Sequence, residues 1–179
     1  MQEPEQLDNE ALNNPVEKML DAERDVQARL GDRPIDFEAN RAISNIYRAA
    51  ASVRRQAERG LLQDFGLSWG GFTILWVLWV WGEMETASLA TDCDLAKGTL
   101  TGMLTTLEKR DLVKRTRSDA DRRRVLVSAT DAGVDIIDEL FPLFNQLETG
   151  LVSGLSTAER KELSRLLRIV ITSSSPAED

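Results

Sequence analysis

The sequence predicts a mainly α chain: a winged helix-turn-helix with a two-stranded β wing, and a helical dimerisation domain built from the N- and C-terminal helices. Three observations predict it. The end of a short helix at residues 89–92 and a second helix at 95–111 are followed by two alternating stretches, Leu112-Val113-Lys114-Arg115-Thr116 and Val125-Leu126-Val127-Ser128-Ala129. The residues between those stretches are charged and arginine-rich, which suits a hairpin loop. Long segments with apolar residues spaced by three and four flank this middle region, as helices that pack on something else require.

The elements follow from local signals. Asn14-Pro15-Val16-Glu17 reads as a helix start, with Asn as cap, Pro at the first position and Glu three residues on. Val16, Met19, Leu20, Val26 and Leu30 then share a face, and Gly31 stops the helix. A longer helix is predicted over 36–65, carrying Ile43, Ile46, Ala50, Val53, Ala57 and Leu61; Gly66 ends it and Ser68 caps the next. That next helix, 69–81, is apolar nearly all round and should be buried. Its run at 72–81 is too short for a bilayer, which needs roughly 20 apolar residues. Thr130 opens a long helix with Ile136, Ile137, Leu140, Phe141, Phe144 and Leu147 inside, and Pro142 should kink it. Ser156-Thr157-Ala158-Glu159 is a capping box for a last helix with Leu163, Leu166, Leu167, Val170 and Ile171 inside; the tail from Ser173 should fray. The predicted domains are 1–35 (extension with one helix), 36–67 (first dimerisation helix), 68–130 (winged helix-turn-helix) and 131–179 (C-terminal dimerisation helices).

Composition narrows the chemistry. The chain has no histidine, which removes the usual general base and the commonest zinc ligand. No enzyme motif is present, and neither a metal nor a cofactor is expected. One cysteine and an acidic N-terminus without an apolar stretch predict a cytoplasmic protein without a secretory signal. Net charge is −8, but it is unevenly spread. Residues 1–40 hold eleven acids and four bases, whereas 95–125 hold four acids and nine bases. A local field of +5 can hold phosphates although the whole chain is acidic.

A helix fits the major groove and presents side chains to base edges. On 95–111 the face opposite the leucines carries Lys97, Gly98, Thr101, Gly102 and Thr105, with Thr99 beside them. These residues are small or hydroxyl-bearing, so the backbone can approach closely. Arg122, Arg123 and Arg124 at the hairpin tip suit the narrow minor groove, and Arg115 and Arg117 extend the cationic strand. Double-stranded DNA is therefore the expected partner.

Three segments resemble the MarR family of bacterial regulators: Ser88-Leu89-Ala90; Thr99-Leu100-Thr101 running into Leu107-Glu108-Lys109-Arg110-Asp111-Leu112-Val113; and Asp121-Arg122-Arg123-Arg124-Val125-Leu126-Val127-Ser128-Ala129-Thr130-Asp131-Ala132-Gly133. The last is similar to the family's Asp-x-Arg wing followed by Val-x-Leu-Thr-x-x-Gly. The resemblance implies that Asp121 holds the wing arginines by an ion pair, that Arg123 enters the minor groove and that 95–111 is the recognition helix. It also implies a homodimer on a roughly palindromic operator, usually as a repressor. Asp94 stands where the family has Gly at the turn, and tolerates a left-handed conformation. Ala129 replaces a leucine, and Gly102 replaces a larger polar residue.

The resemblance further implies an effector, often aromatic, bound between the 69–81 helix and the dimer helices. Tyr47, Arg48, Trp69, Phe72 and Trp76 are the candidates, against a reading in which most of these rings are core. Arg48, Arg54 and Arg55 can each pair with a carboxylate, although each singly reads as solvated helix face. The urate-binding branch is rejected, because Thr73 and Gly102 stand at its ligand positions. Cys93 reads as a small core hydrophobe rather than a redox sensor. The competing class is a helical interaction module that keeps the fold without sequence-specific DNA binding.

Overall fold

The structure, a computed structural model, describes residues 19–117, 121 and 124–174. The element order is α1 (Asp21–Leu30), α2 (Phe37–Arg59), α3 (Leu61–Asp64), α4 (Trp69–Trp81), β1 (Met84–Glu85), α5 (Thr86–Asp92), α6 (Lys97–Lys109), β2 (Val113–Arg117), β3 (Val125–Ala129), α7 (Asp131–Leu151) and α8 (Thr157–Ser174). The chain divides into two compact units, Met1–Ala50 and Ala51–Asp179.

In the first unit, the described helix α1 spans Asp21–Leu30. The proposed start at Asn14–Glu17 lies outside the described residues, but Leu20 is extended (φ −60°, ψ 148°) and the helix opens at Asp21. Glu23 caps this start, its carboxylate accepting the Leu20 N–H at 2.6 Å. The same carboxylate accepts from Asn45 Nδ2 at 2.7 Å, which fastens α1 to α2, and Asn45 in turn accepts from Arg48 Nη1 at 3.0 Å. Glu23 is buried, and the Asn45 bond, with the Leu20 amide next, holds its carboxyl below the usual carboxylate range. Val26 and Leu30 are half-buried, whereas Leu20 faces out. Gly31 stops α1 with φ 55°, as read from the sequence.

The single helix expected over 36–65 is broken. α2 ends at Arg59, and Gly60 (φ −124°, ψ −103°) turns the chain into the short α3. An unbranched glycine inside an otherwise helical run supplies the freedom for that turn.

In the second unit Gly66 adopts φ 62° and Ser68 caps α4, its Oγ accepting the Gly71 N–H at 3.2 Å. Gly70, Gly71, Phe72, Ile74, Leu75, Val77 and Leu78 of α4 are buried. Burial fails at its end, where Trp79 and Val80 are exposed and Trp81 is 62% exposed. α7 covers the other rings: Phe72 lies 4.6 Å from Phe144 and Trp76 4.4 Å from Phe141 between centroids. Trp79 Nε1 donates to Asp138 Oδ1 at 2.9 Å, so its polar edge is satisfied at the surface. α7 runs from Asp131 to Leu151 with Pro142 inside it. Thr130 caps it, accepting from Gly133 N at 3.1 Å.

The sheet has three antiparallel strands in the order β1-β3-β2. β2 and β3 form the expected wing, paired from Val113↔Ala129 to Arg117↔Val125. β1 adds Met84↔Val127 and Glu85↔Leu126. Two residues are too short to show an alternating pattern, which is why the sequence reading found two strands. The core joins Leu62, Ile74, Leu75, Leu89, Leu100, Leu104, Val127, Ile137 and Leu140, all fully buried.

α8 begins with the predicted capping box, Ser156 N donating to Glu159 Oε2 at 2.7 Å and Glu159 N to Ser156 Oγ at 3.3 Å. Its apolar face, expected inside, is open in the single chain: Leu163, Leu166 and Ile169 are 42%, 46% and 49% exposed, and Ile171 is exposed too. Among the described residues of the second unit, none covers that stripe completely. The helix continues to Ser174, past the expected fraying point. Among the described residues no single helix is long and apolar enough to cross a membrane.

Candidate nucleic-acid interface

α5, a tight turn and α6 form the helix-turn-helix. Asp94 takes φ 51° in the turn, and Leu95 returns its N–H to Ala90 O at 2.8 Å. That bond delays α6, which begins at Lys97 after Ala96 (ψ 142°) rather than at Leu95. Leu100, Leu104 and Leu107 face the core. The opposite face presents Lys97, Gly98, Thr101, Gly102 and Thr105, all exposed, with Thr99 also exposed beside them.

Their chemistry is specific. A Cβ at Gly98 or Gly102 would meet nothing within 4 Å, so this stretch of helix can lie close against a groove floor. Thr101 Oγ1 donates to Lys97 O at 2.8 Å and Thr105 Oγ1 to Thr101 O at 2.9 Å. With those protons committed to backbone, each hydroxyl offers lone pairs outward. It can accept from an adenine or cytosine amino group as it stands, and can donate to a phosphate only after rotating. Lys97 and Thr101 share a groove of about 340 Å³ with Thr86 and Ala87 of α5 and with Arg115.

The cations of the hairpin differ among themselves. Arg115 is half-buried and forms an ion pair with Glu108, and its Nη2 is 3.4 Å from Thr105 Oγ1. The Arg115 hydrogen bond holds the Glu108 carboxyl below its usual range, and Glu108 raises Arg115 in return. Arg115 therefore fastens β2 to α6 and brings little free charge. Arg124 donates from Nη1 to Glu85 Oε1 at 2.7 Å, and its Nε lies 3.6 Å from Asp121 Oδ2. The Arg124 N–H also bonds Asp121 O at 2.9 Å. The described partner of Asp121 is thus Arg124, which ties the wing to β1. Arg122 and Arg123 lie outside the described residues. Lys97 and Arg117 are exposed and form no ion pair among the described residues.

Arg110 was not singled out by sequence reasoning. At the C-terminal end of α6 it donates to Gly66 O at 2.5 Å and Phe65 O at 2.9 Å, fixing that end of the helix to the loop before α4. Its partners are backbone carbonyls more than forty residues away, and no side-chain pattern announces such a bond.

A family model described as the MarR family matches residues 67–125, from the residue before the α4 cap to the start of β3. The uncharacterized HTH-type transcriptional regulator YwaE of Bacillus subtilis (strain 168) is 38% identical over 151 residues, covering 83% of this chain and 88% of its own length. The chain belongs to the MarR family. It is a transcription regulator with a winged helix-turn-helix DNA-binding domain. The HTH-type transcriptional regulator MgrA of Staphylococcus aureus is 32% identical, over 71% of this chain and 85% of its own. Among solved structures, Bordetella bronchiseptica BpsR, described for regulation of its DNA binding by 6-hydroxynicotinic acid, superposes with a TM-score of 0.66 at 26% identity, covering 72% of this chain and 97% of its own. Sco3205 of Streptomyces coelicolor, a MarR family regulator solved in complex with DNA, reaches 0.72 at 22% identity over 82% of this chain and 95% of its own.

In this MarR-family chain the candidate effector residues fall in both units. Tyr47, 73% exposed, and Arg48, bonded to Asn45, belong to the first unit. Trp69, Phe72 and Trp76 belong to the second, where Trp69 and Phe72 pack on Phe144 and Trp76 on Phe141. Phe72 is buried in the core, and Trp69 and Trp76 are partly buried against it. Cys93 is half-buried and packed against the core, and burial, with Asp92 second, pushes its thiol up to about 11. A thiol so rarely ionised is a poor nucleophile toward oxidants. Among the described residues no cluster of His, Cys, Asp or Glu is arranged to hold a metal ion.

Proposed function

We propose that the protein is a homodimeric repressor that binds a palindromic operator and is released by a small ligand, aromatic in the favoured case. It acts on double-stranded DNA in the cytoplasm. The observation that carries this reading is the open row of Lys97, Thr101 and Thr105 on α6 beside the β2–β3 hairpin. Residues 68–130 read the duplex, with Lys97, Gly98, Thr99, Thr101, Gly102 and Thr105 in the major groove. Arg117 and Arg122–Arg124 reach the backbone and minor groove, with Asp121 bracing the wing and Arg115 bracing the strand.

Residues 36–67 and 131–179 make the dimer, and the open apolar stripe of α8 supports that assignment. The helix in 1–35 braces it. The BpsR likeness supports a ligand that regulates DNA binding. The single free cation at the start of α6 and the two bare glycines predict modest base readout, with backbone contact and groove shape contributing the rest.

The test is binding of the purified chain to DNA from upstream of its own gene. Arg123→Ala and Lys97→Ala should each weaken binding at least about fivefold, roughly 1 kcal/mol, and leave the dimer intact. Unchanged affinity in both, with no dependence on salt, would favour the interaction-module reading.

A further inference from the structure

We infer that Glu108 sets the sequence specificity of α6 by holding Arg115 on Thr105 and away from phosphates. Lys97, Thr101, Thr105 and Glu108 follow one another by four, four and three residues, so they form one ridge of the helix. The ridge opens with a cation and closes with a carboxylate, which a phosphate-lined duplex repels. An acid in that row therefore needs a reason, and Arg115 supplies it.

Arg115 stands opposite Val127 in the β2–β3 register, and directly opposed residues of an antiparallel pair share a face. Val127 is fully buried, so the Arg115 stem starts on the inner face of the hairpin and its guanidinium emerges beside α6. There it pairs with Glu108, and its Nη2 lies 3.4 Å from Thr105 Oγ1. A half-buried guanidinium requires an anion, which accounts for the existence of a pair. It does not account for its place. Arg115 also lines the groove that holds Lys97 and Thr101, at the edge of the reading face. From there a turn of its own side chain, with no movement of β2, would carry the charge to a phosphate. Such a contact strengthens binding to every duplex and carries no sequence information. The Glu108 carboxylate competes with phosphate for that guanidinium.

The same pair fixes a hydroxyl. Thr105 Oγ1 donates its proton to Thr101 O at 2.9 Å, and Arg115 Nη2 takes one of its two lone pairs. One acceptor site is left. A hydroxyl held in that state suits the amino groups of adenine or cytosine and disfavours the acceptor edges of guanine and thymine. Glu108 touches no base in this scheme. It is a positioning residue that acts through Arg115, withholding a charge that would bind any sequence and orienting a group that discriminates.

The inference rests on α6 reading a duplex, and its test separates the two. Binding of the full chain is measured over a range of salt, to a fragment from upstream of its own gene and to an unrelated duplex of equal length. With Glu108→Gln the unrelated duplex should bind at least about threefold tighter, and the slope of log affinity against log salt should steepen by about 0.9, the value for one more phosphate contact. Preference for the upstream fragment should fall at least about fivefold, the scale on which a hydrogen-bonded base contact discriminates. Glu108→Ala, which leaves no acceptor, should move both readouts the same way. Adding Arg115→Gln to Glu108→Gln should return the salt slope to that of the unaltered chain while the preference stays low, since nothing then fixes Thr105. Thermal melts establish that each variant keeps the fold. A pair that only braces β2 would, once broken, weaken binding to both duplexes alike. That result, or slope and preference unchanged in both Glu108 variants, overturns the inference alone. An unaltered chain with no salt-dependent binding, or no preference between the duplexes, overturns the reading of α6 together with the inference.

Discussion

Placing aspartate at both Leu166 and Ile169 is expected to leave a folded monomer that no longer holds its operator. These side chains, with Leu163, form the stripe of α8 that is nearly half exposed in the isolated chain. Covering one such side chain completely is worth about 1.5–3 kcal/mol, and a two-fold interface covers each twice. Introducing carboxylates there removes that gain and adds the cost of burying unpaired charge. The helix itself should persist, since the substitutions fall on a solvent-facing stripe of the single chain. Sedimentation should show one subunit at micromolar concentration. Operator affinity should fall at least about a hundredfold, because the second half-site is no longer tethered to the first. A variant that remains a dimer would place the subunit interface elsewhere.

The second large effect is expected from Gly133→Ala. Gly133 lies in the first turn of α7, where an added Cβ would sit 2.1 Å from Leu112 O and 3.0 Å from Leu112 C. Those atoms are backbone and are held in place. Leu112 O accepts the Thr130 N–H at 3.1 Å, and Leu112 N donates to Leu107 O at 3.0 Å. Thr130 Oγ1 also donates to Asp111 O at 2.5 Å, so three segments meet at this joint. Relief requires α7 to lift from the junction of α6 and β2. The cost should reach the upper end of the roughly 1–3 kcal/mol seen for overpacking. The melting temperature should drop by roughly 5 °C or more. Because the joint also sets where the wing leaves α6, operator affinity should weaken with it. An unchanged melting temperature would mean that α7 seats more loosely on Leu112 than the distances indicate.

Gly133 also illustrates how much of the molecule its sequence discloses. Its place in the stretch Val125–Gly133 was visible as part of a family-like pattern, but its physical reason, close approach to a carbonyl twenty-one residues earlier, was not. Signals that act within a turn of helix were legible: the caps at Ser68, Thr130 and Ser156, the stop at Gly31 and the left-handed Asp94 all follow from side chains next to the backbone they serve. The break at Gly60 was missed because the apolar spacing continues across it from Ala57 to Leu61. The opening of a helix at Asp21 was not read, because its capping acid Glu23 is fixed by Asn45, twenty-two residues away in the sequence.

The candidate interface divides the same way. The outward face of α6 was read correctly from helical spacing, as Lys97, Thr101 and Thr105 are exposed. Of the cations' partners only the local one was legible: the pairing of Asp121 with a wing arginine, here Arg124, was implied by the family-like pattern. Arg115 with Glu108 and Arg124 with Glu85 were not, because those partners meet only once β2 packs on α6 and β3 on β1. Arg110 gives the sharpest case, being held by two carbonyls that carry no sequence identity of their own.

The central claim is that two subunits present two such helices to one duplex. It is tested most directly by sedimentation of the purified chain with a fragment from upstream of its own gene, at two salt concentrations. Two subunits per site, with affinity falling about a thousandfold between roughly 50 and 200 mM salt, is the predicted result. One subunit per site, or an affinity that ignores salt, would contradict it.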